Sequence, residues 1–264
     1  MCGTYGQGFY NAPRSEVWAA TLCPHRGCQC SGPAGVVSLL IPMNTSLPSS
    51  SAAAAAPREL CVQALQLSLG DWQLCQHWSH AWEPGLHLLC GGDGAGKSSL
   101  LRALAGMQAL QAGRVCWSDA AITSPDVFWV DPRQPQLQAA EGSTPQQWAA
   151  QQAQRYPRWN AAQWQNHLEH WQLQPEVSKP WHALSTGTAR KLWMAAALAS
   201  GAALVLIDEP VAGLDRPSVA YVRTALAAHT AASQAAAQWV MVAHYDDLQG
   251  LPWDSVVELE ALPQ

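Results

Sequence analysis

The chain has 264 residues, 48% of them hydrophobic, which suits one large domain or one domain with a tail. Its formal net charge is -5 and only 12% of residues are charged, so it lacks the basic surface that nucleic-acid binding requires. The longest uncharged apolar stretch, Leu192–Ile207, is short for a bilayer and is interrupted by Ser200-Gly201, so no transmembrane segment is expected.

Residues 1 to about 57 are rich in Gly, Pro, Ser and Ala and sustain no amphipathic period, which predicts a disordered tail. Met43 is an alternative start. Cys23, His25, Cys28 and Cys30 fit no standard zinc spacing. The eight cysteines, four of them in the first 30 residues and the rest scattered through apolar segments, predict reduced thiols rather than a disulfide framework. Most of the 14 tryptophans are expected in the core or on amphipathic surface.

From Arg58 the pattern becomes ordered. Leu60–Leu69 alternates loosely and reads as a strand, and Trp82–Gly85 as a turn. Leu86–Cys90 is a short apolar run, read as a buried strand, and Leu100–Ala105 continues as a helix with one apolar face. Gly113–Trp117 and Val127–Val130 read as short strands. Pro145 to Leu173 reads as two helices broken near Pro157. Leu192–Ile207 reads as a buried helix and then a buried strand, and Trp239–Ala243 as another strand. Strands alternating with helices predict an α/β fold with a mostly parallel core sheet.

Between the Leu86 strand and the Leu100 helix lies Gly91-Gly92-Asp93-Gly94-Ala95-Gly96-Lys97-Ser98-Ser99, which fits G-x-x-x-x-G-K-[ST], the P-loop. Glycines let successive backbone N–H groups converge on one concavity, and the following helix aims its positive end there. Lys97 is expected to reach the β- and γ-phosphates, and the Ser98 hydroxyl to ligate Mg²⁺. The strand Leu204–Ile207 ends in Asp208-Glu209, which on its own reads as two solvated acids. Downstream of a P-loop the pair reads as an acid that serves Mg²⁺, Asp208, and one that polarises the attacking water, Glu209.

Leu184-Ser185-Thr186-Gly187-Thr188 opens the helix before those acids, Ala212-Gly213-Leu214-Asp215 follows them, and the strand Trp239–Ala243 runs into His244. In order and spacing these motifs resemble the ATP-binding cassette family, the motor of ABC transporters, over about Leu60 to Leu259. The resemblance implies a P-loop NTPase with an antiparallel β subdomain and a helical subdomain at about 137–190, the cassette filling 58–264. It implies ATP and Mg²⁺ as cofactors, with Gly91 to Ser99 around the phosphates and Glu209 as the catalytic carboxylate. His244 becomes the γ-phosphate histidine and Asp215 part of a loop that crosses a dimer interface. Ser185 and Gly187 become the signature that binds nucleotide held by a second copy. Gln134 matches the glutamine loop and its metal contact, with Gln136 and Gln138 as competing choices.

The resemblance also implies a homodimer closed by ATP, a separate transmembrane permease, and a peripheral place on the cytoplasmic face of the inner (plasma) membrane. Leu101–Gly106 followed by Gly113–Trp117 resembles the compact ATPase of the cytochrome c maturation haem exporter. Two departures stand out. Thr186 and Thr188 replace a Gly and a Gln of the usual signature, and the position of the adenine-stacking aromatic falls near Leu69, with Trp72 a few residues on. A soluble, non-transport ABC ATPase and a weakly active nucleotide-binding scaffold are the alternatives.

Overall fold

A computed structural model describes residues 59–69, 72–117, 127–129, 142–235 and 237–259. The expected tail, with its alternative start and cysteine group, lies outside the described residues. So do Gln134, Gln136 and Gln138 and the subdomain boundary near residue 137.

Two sheets form. Strands β1 (Leu60–Leu69), β2 (Trp72–Trp82) and β4 (Ala112–Trp117) make an antiparallel sheet in the order β2-β1-β4. Strands β5 (Val127–Trp129), β6 (Leu204–Asp208), β7 (Trp239–His244), β3 (Gly85–Cys90) and β8 (Ser255–Glu258) make a parallel sheet in the order β5-β6-β7-β3-β8. The central strands are apolar at consecutive positions because both faces are covered. Along β6 and β7, Val205, Ile207, Val240 and Val242 pack into one core, and Leu204, Leu206, Trp239, Met241 and Ala243 into the other. Period-2 alternation sends each set to its own side.

Helix α1 (Lys97–Leu104) packs on the second of these faces with Leu100, Leu101 and Leu104, beside Leu60, Val62 and Leu65 of β1. The opposite face receives α2 (Pro145–Arg155), α3 (Ala161–His170), α4 (Thr186–Ala199) and α5 (Arg216–Ala235). Helix α2 opens on a capping box: the Thr144 hydroxyl accepts from the Gln147 N–H (3.2 Å) and Gln147 Oε1 accepts from the Thr144 N–H (3.0 Å). Asn160 caps α3 through the Gln163 N–H (2.9 Å). The loop between α2 and α3 is pressed against the end of α4, where the Asn160 N–H donates to the Ala199 carbonyl (2.8 Å) and a Cβ on Gly201 would lie 2.3 Å from the Arg158 carbonyl. Trp148 of α2, Trp181 and Trp193 of α4 interlock, with Trp181 and Trp193 stacked at 4.1 Å.

Two differences from the sequence reading have clear causes. No strand was expected at 72–82 because the β1–β2 pairing is interrupted: His77 in β2 sits at φ 50°, Ala64 in β1 at φ 49°, and the register shifts between Val62 and Leu65 and again between Leu65 and Leu67. The prediction of reduced thiols fails for one pair, because antiparallel register sets Cys61 opposite Cys116 and the two form a disulfide. Cys75 and Cys90 are free. Among the described residues no helix is long and apolar enough to cross a membrane.

Candidate functional site

Parallel register places the site. Cys90 is level with His244, and Asp208 with Ala243, so β3, β6 and β7 deliver the phosphate loop, the paired acids and the histidine to one carboxyl edge of the sheet. Ligands of open α/β sheets bind at that edge. The loop Gly91–Gly96 turns through φ 79° at Gly94 and 93° at Gly96, where a side chain would be strained. Helix α1 then starts at Lys97 with no side-chain cap and no acid in its first turn, leaving its N-terminal N–H groups for an anion.

A cavity of about 390 Å³ opens over this loop. Asp93 to Ser99 form one wall, Asp208 and Glu209 another, and Leu74, Arg102, Arg190 and Ala212 complete it. Lys97 is 7% exposed and donates to the carbonyls of Gly91 (2.7 Å) and Gly92 (3.0 Å). Its ammonium lies 3.9 Å from Glu209 Oε1, and Glu209 Oε2 lies 3.7 Å from His244 Nε2. Glu209 itself sits at φ 50°, and its N–H donates to the Ala243 carbonyl (2.9 Å). A non-glycine residue there carries strain of about 1–3 kcal/mol, here located at the end of β6. Burial raises the Glu209 pKa, His244 and Lys97 oppose the rise, and Asp208 and Asp93 add to it.

Asp208 is buried, and its Oδ1 has no hydrogen-bond partner among the described residues. An uncompensated buried carboxylate oxygen in a cavity that also holds the Ser98 hydroxyl fits a hard divalent cation.

The single chain does not bring the expected signature into this cavity. Ser185 is exposed and caps α4, accepting from the Thr188 N–H (3.1 Å) and sharing a 2.8 Å hydrogen bond with the Thr188 hydroxyl. Gly187 lies against the Gly213 carbonyl instead. Asp215 is exposed at the start of α5. Its pKa is lowered to about 2 by hydrogen bonds from Ser218, whose N–H lies 2.8 Å away, and by Lys191 at 3.3 Å. Arg190 was not anticipated. It lies on the inner face of α4, lines the cavity and donates to the Ala212 carbonyl. Leu74 and Arg102 were also missed: Arg102 was read only as part of the Leu101–Gly106 resemblance, and Leu74 reaches the loop only through the pairing of β2.

A phosphate loop, an acid pair and a strand-end histidine on one edge of a parallel sheet define a P-loop nucleotide-binding protein. Residues 81–212 match the family described as ABC transporter. The cytochrome c biogenesis ATP-binding export protein CcmA of Paracoccus denitrificans is 35% identical over 175 residues, 66% of this chain and 76% of that protein. CcmA of Rhodobacter capsulatus is 34% identical over 189 residues, 71% of this chain and 81% of that protein. The zinc import ATP-binding protein ZnuC of Halorhodospira halophila is 30% identical over 162 residues, 58% and 56% of the two chains. Among solved structures, an ATP-binding subunit of an ABC transporter aligns with TM-score 0.63 at 18% identity over 76% of this chain and 85% of that one. CbiO1 of Clostridium perfringens, part of the ABC transporter complex CbiONQ, aligns with TM-score 0.56 at 20% identity over 76% and 84%. The chain belongs to the ABC transporter family and is an ATP-binding ABC ATPase resembling the cytochrome c maturation exporter ATPase.

Proposed function

We propose that the chain is the Mg²⁺-dependent ATPase of an export system for cytochrome c biogenesis, powering a separate permease that carries haem. The observation that carries the ATPase reading is the line Lys97, Glu209, His244 beside the unpartnered oxygen of Asp208. The kinship with the CcmA proteins supports the export reading.

In this reading Lys97 exchanges the Gly91 and Gly92 carbonyls for the β- and γ-phosphates, and the N–H groups of the loop and of α1 take the remaining phosphate oxygens. Ser98 and Asp208 would hold Mg²⁺, which supplies charge neutralisation when bound. Glu209, its basicity increased by burial, accepts a proton from the attacking water. The water oxygen bonds to the γ-phosphorus as the bond to ADP breaks, and His244 faces the charge that develops. Ser185, Gly187 and Asp215 act in trans, across a homodimer that ATP closes. Gln134 carries the coupling to the permease, at the cytoplasmic face of the membrane. The helical subdomain begins near residue 137, and the cassette fills 58–264.

The test is ATP hydrolysis by the purified chain with Mg²⁺, against Glu209→Gln, over a range of protein concentrations. Turnover should rise faster than linearly with concentration and fall at least about 100-fold in the variant. Equal inactivity of both proteins despite ATP binding, persisting when native membranes are added, would favour the scaffold reading. That alternative draws on the engagement of the Ser185 hydroxyl by Thr188 in its own chain.

A further inference from the structure

Three residues on one face of α4 meet the loop that follows Glu209. A Cβ on Gly187 would lie 3.5 Å from the Gly213 carbonyl, Arg190 donates through Nη1 to the Ala212 carbonyl, and Lys191 Nζ lies 3.3 Å from Asp215 Oδ2. Positions 187, 190 and 191 are spaced i, i+3 and i+4, which one helix face presents together. Arg190 differs from the other two. It also lines the phosphate cavity that Glu209 lines, and among the described residues no carboxylate pairs with it. Its charge is directed instead at a backbone carbonyl, and a charge-assisted hydrogen bond is about twice as strong as a neutral one.

The loop needs such a hold. Glu209 sits at φ 50°, and the next residue is Pro210, whose ring restricts the backbone of the residue before it. A left-handed glutamate before proline persists only where its surroundings over-determine it. Here the contacts run in a chain. The Glu209 N–H donates to the Ala243 carbonyl of β7 (2.9 Å), and the Ala212 N–H donates back to the Glu209 carbonyl (3.3 Å). Arg190 then takes the Ala212 carbonyl, so Ala212 is bonded on one side to Glu209 and on the other to α4. Beyond it the Leu214 N–H donates to the Val211 carbonyl (3.1 Å), and Asp215 Oδ1 accepts from the Ser218 N–H of α5 (2.8 Å). Strand β7 fixes one end of the turn and α5 the other, and Arg190 reaches its middle.

Resting on the ATPase reading above, we propose that Arg190 is a positioning residue for hydrolysis: from α4 it holds the turn 209–212 and so keeps the Glu209 carboxylate between Lys97 and His244. Lysine can give the Ala212 carbonyl one charge-assisted bond, and alanine gives none. A residue that acts only through Glu209 has nothing left to do once that carboxylate is an amide.

The experiment uses the full-length chain. Arg190→Ala should lower kcat about 10- to 100-fold with KM for ATP within about twofold of wild type, and Arg190→Lys should restore part of the loss. In a Glu209→Gln background, adding Arg190→Ala should lower single-turnover hydrolysis by no more than about twofold, because groups that act as a unit are not additive. Carbon-13 NMR of glutamate-labelled protein without nucleotide, with Glu209 assigned through Glu209→Gln, should show the Glu209 backbone shifts displaced in Arg190→Ala and displaced less in Arg190→Lys. Should the alanine variant not fold, Arg190→Gln, which keeps a long side chain without the charge, carries the same measurements. Unchanged kcat, or losses that multiply with those of Glu209→Gln, overturn the proposal. So does a raised KM at wild-type kcat, which would make Arg190 a nucleotide contact. A wild type that never hydrolyses ATP, even with native membranes added, overturns the ATPase reading instead. The Glu209 shifts still judge the hold from α4, and shifts unchanged in Arg190→Ala overturn it.

Discussion

Lys97 shows how much a single residue can hold. A buried ammonium needs compensation, and here the loop's own carbonyls and Glu209 provide it. His167 is the opposite case, a histidine kept neutral. It is 4% exposed, its Nδ1 shares a 2.8 Å hydrogen bond with the Tyr221 hydroxyl, and burial, with His229 and His170 nearby, lowers its pKa to about 4. In the unfolded chain it takes up a proton near 6.5, its ordinary value. Between about 6.5 and 4 the unfolded state binds more protons, so stability should fall as pH drops through that window, by roughly 2–3 kcal/mol from this residue. His229, also lowered by burial, adds to the slope. Urea midpoints measured from pH 7 to 4.5 should fall, and His167→Gln should flatten the dependence; a variant curve parallel to wild type would refute the assignment. Gly201 is a second sensitive position. Its φ is 62° and an added Cβ would meet the Arg158 carbonyl, so Gly201→Ala should cost about 2–4 kcal/mol in urea unfolding.

At the scale of elements, caps and pairings decide where structure begins. The capping box of α2 satisfies two terminal donors reciprocally, and Thr144→Ala should destabilise the chain by about 1 kcal/mol without altering ATP affinity, because Thr144 is not among the residues lining the phosphate cavity. A thermal melt and an ATP titration of the same preparation check both halves of that statement. Helix α4 is capped by Ser185, and its flank donates Arg190 to the Ala212 carbonyl and Lys191 to Asp215. One helix therefore grips, within one chain, the loop that follows Glu209. The disulfide between Cys61 and Cys116 ties β1 to β4 in the same way that their ladder does. A non-reduced digest should yield one cross-linked peptide pair containing these two residues.

At the scale of the molecule, the sheet's two apolar faces and its one polar edge separate stability from chemistry. The faces are filled by the two cores, and the edge carries the candidate site. Nucleotide that binds only the folded state should stabilise it by mass action, about 2.7 kcal/mol at 100 times Kd. In Glu209→Gln, where ATP is not consumed, the melting temperature should rise with ATP concentration along that law. In Lys97→Ala the rise should disappear over the same range. A Lys97→Ala protein stabilised as strongly as Glu209→Gln would refute the role given to the lysine.

Much of this was legible in the chain because the signals are local. Leu204–Ile207 is apolar at every position, so it reads as a doubly buried strand, and the glycine spacing of 91–96 needs only its neighbours to be recognised. The same holds for the helix break near Pro157, where α2 ends at Arg155 and α3 begins at Ala161. What the sequence determined by itself was therefore the α/β class and the family resemblance, with the loop, the acids and the histidine as its candidate site. Strand β2 was lost to its bulges, and Cys61 met Cys116 only through sheet register. Leu74 and Arg190 joined the cavity from β2 and α4. Those contacts join residues through pairing and loop closure, which depend on the whole packed chain, and only the tertiary structure decides them.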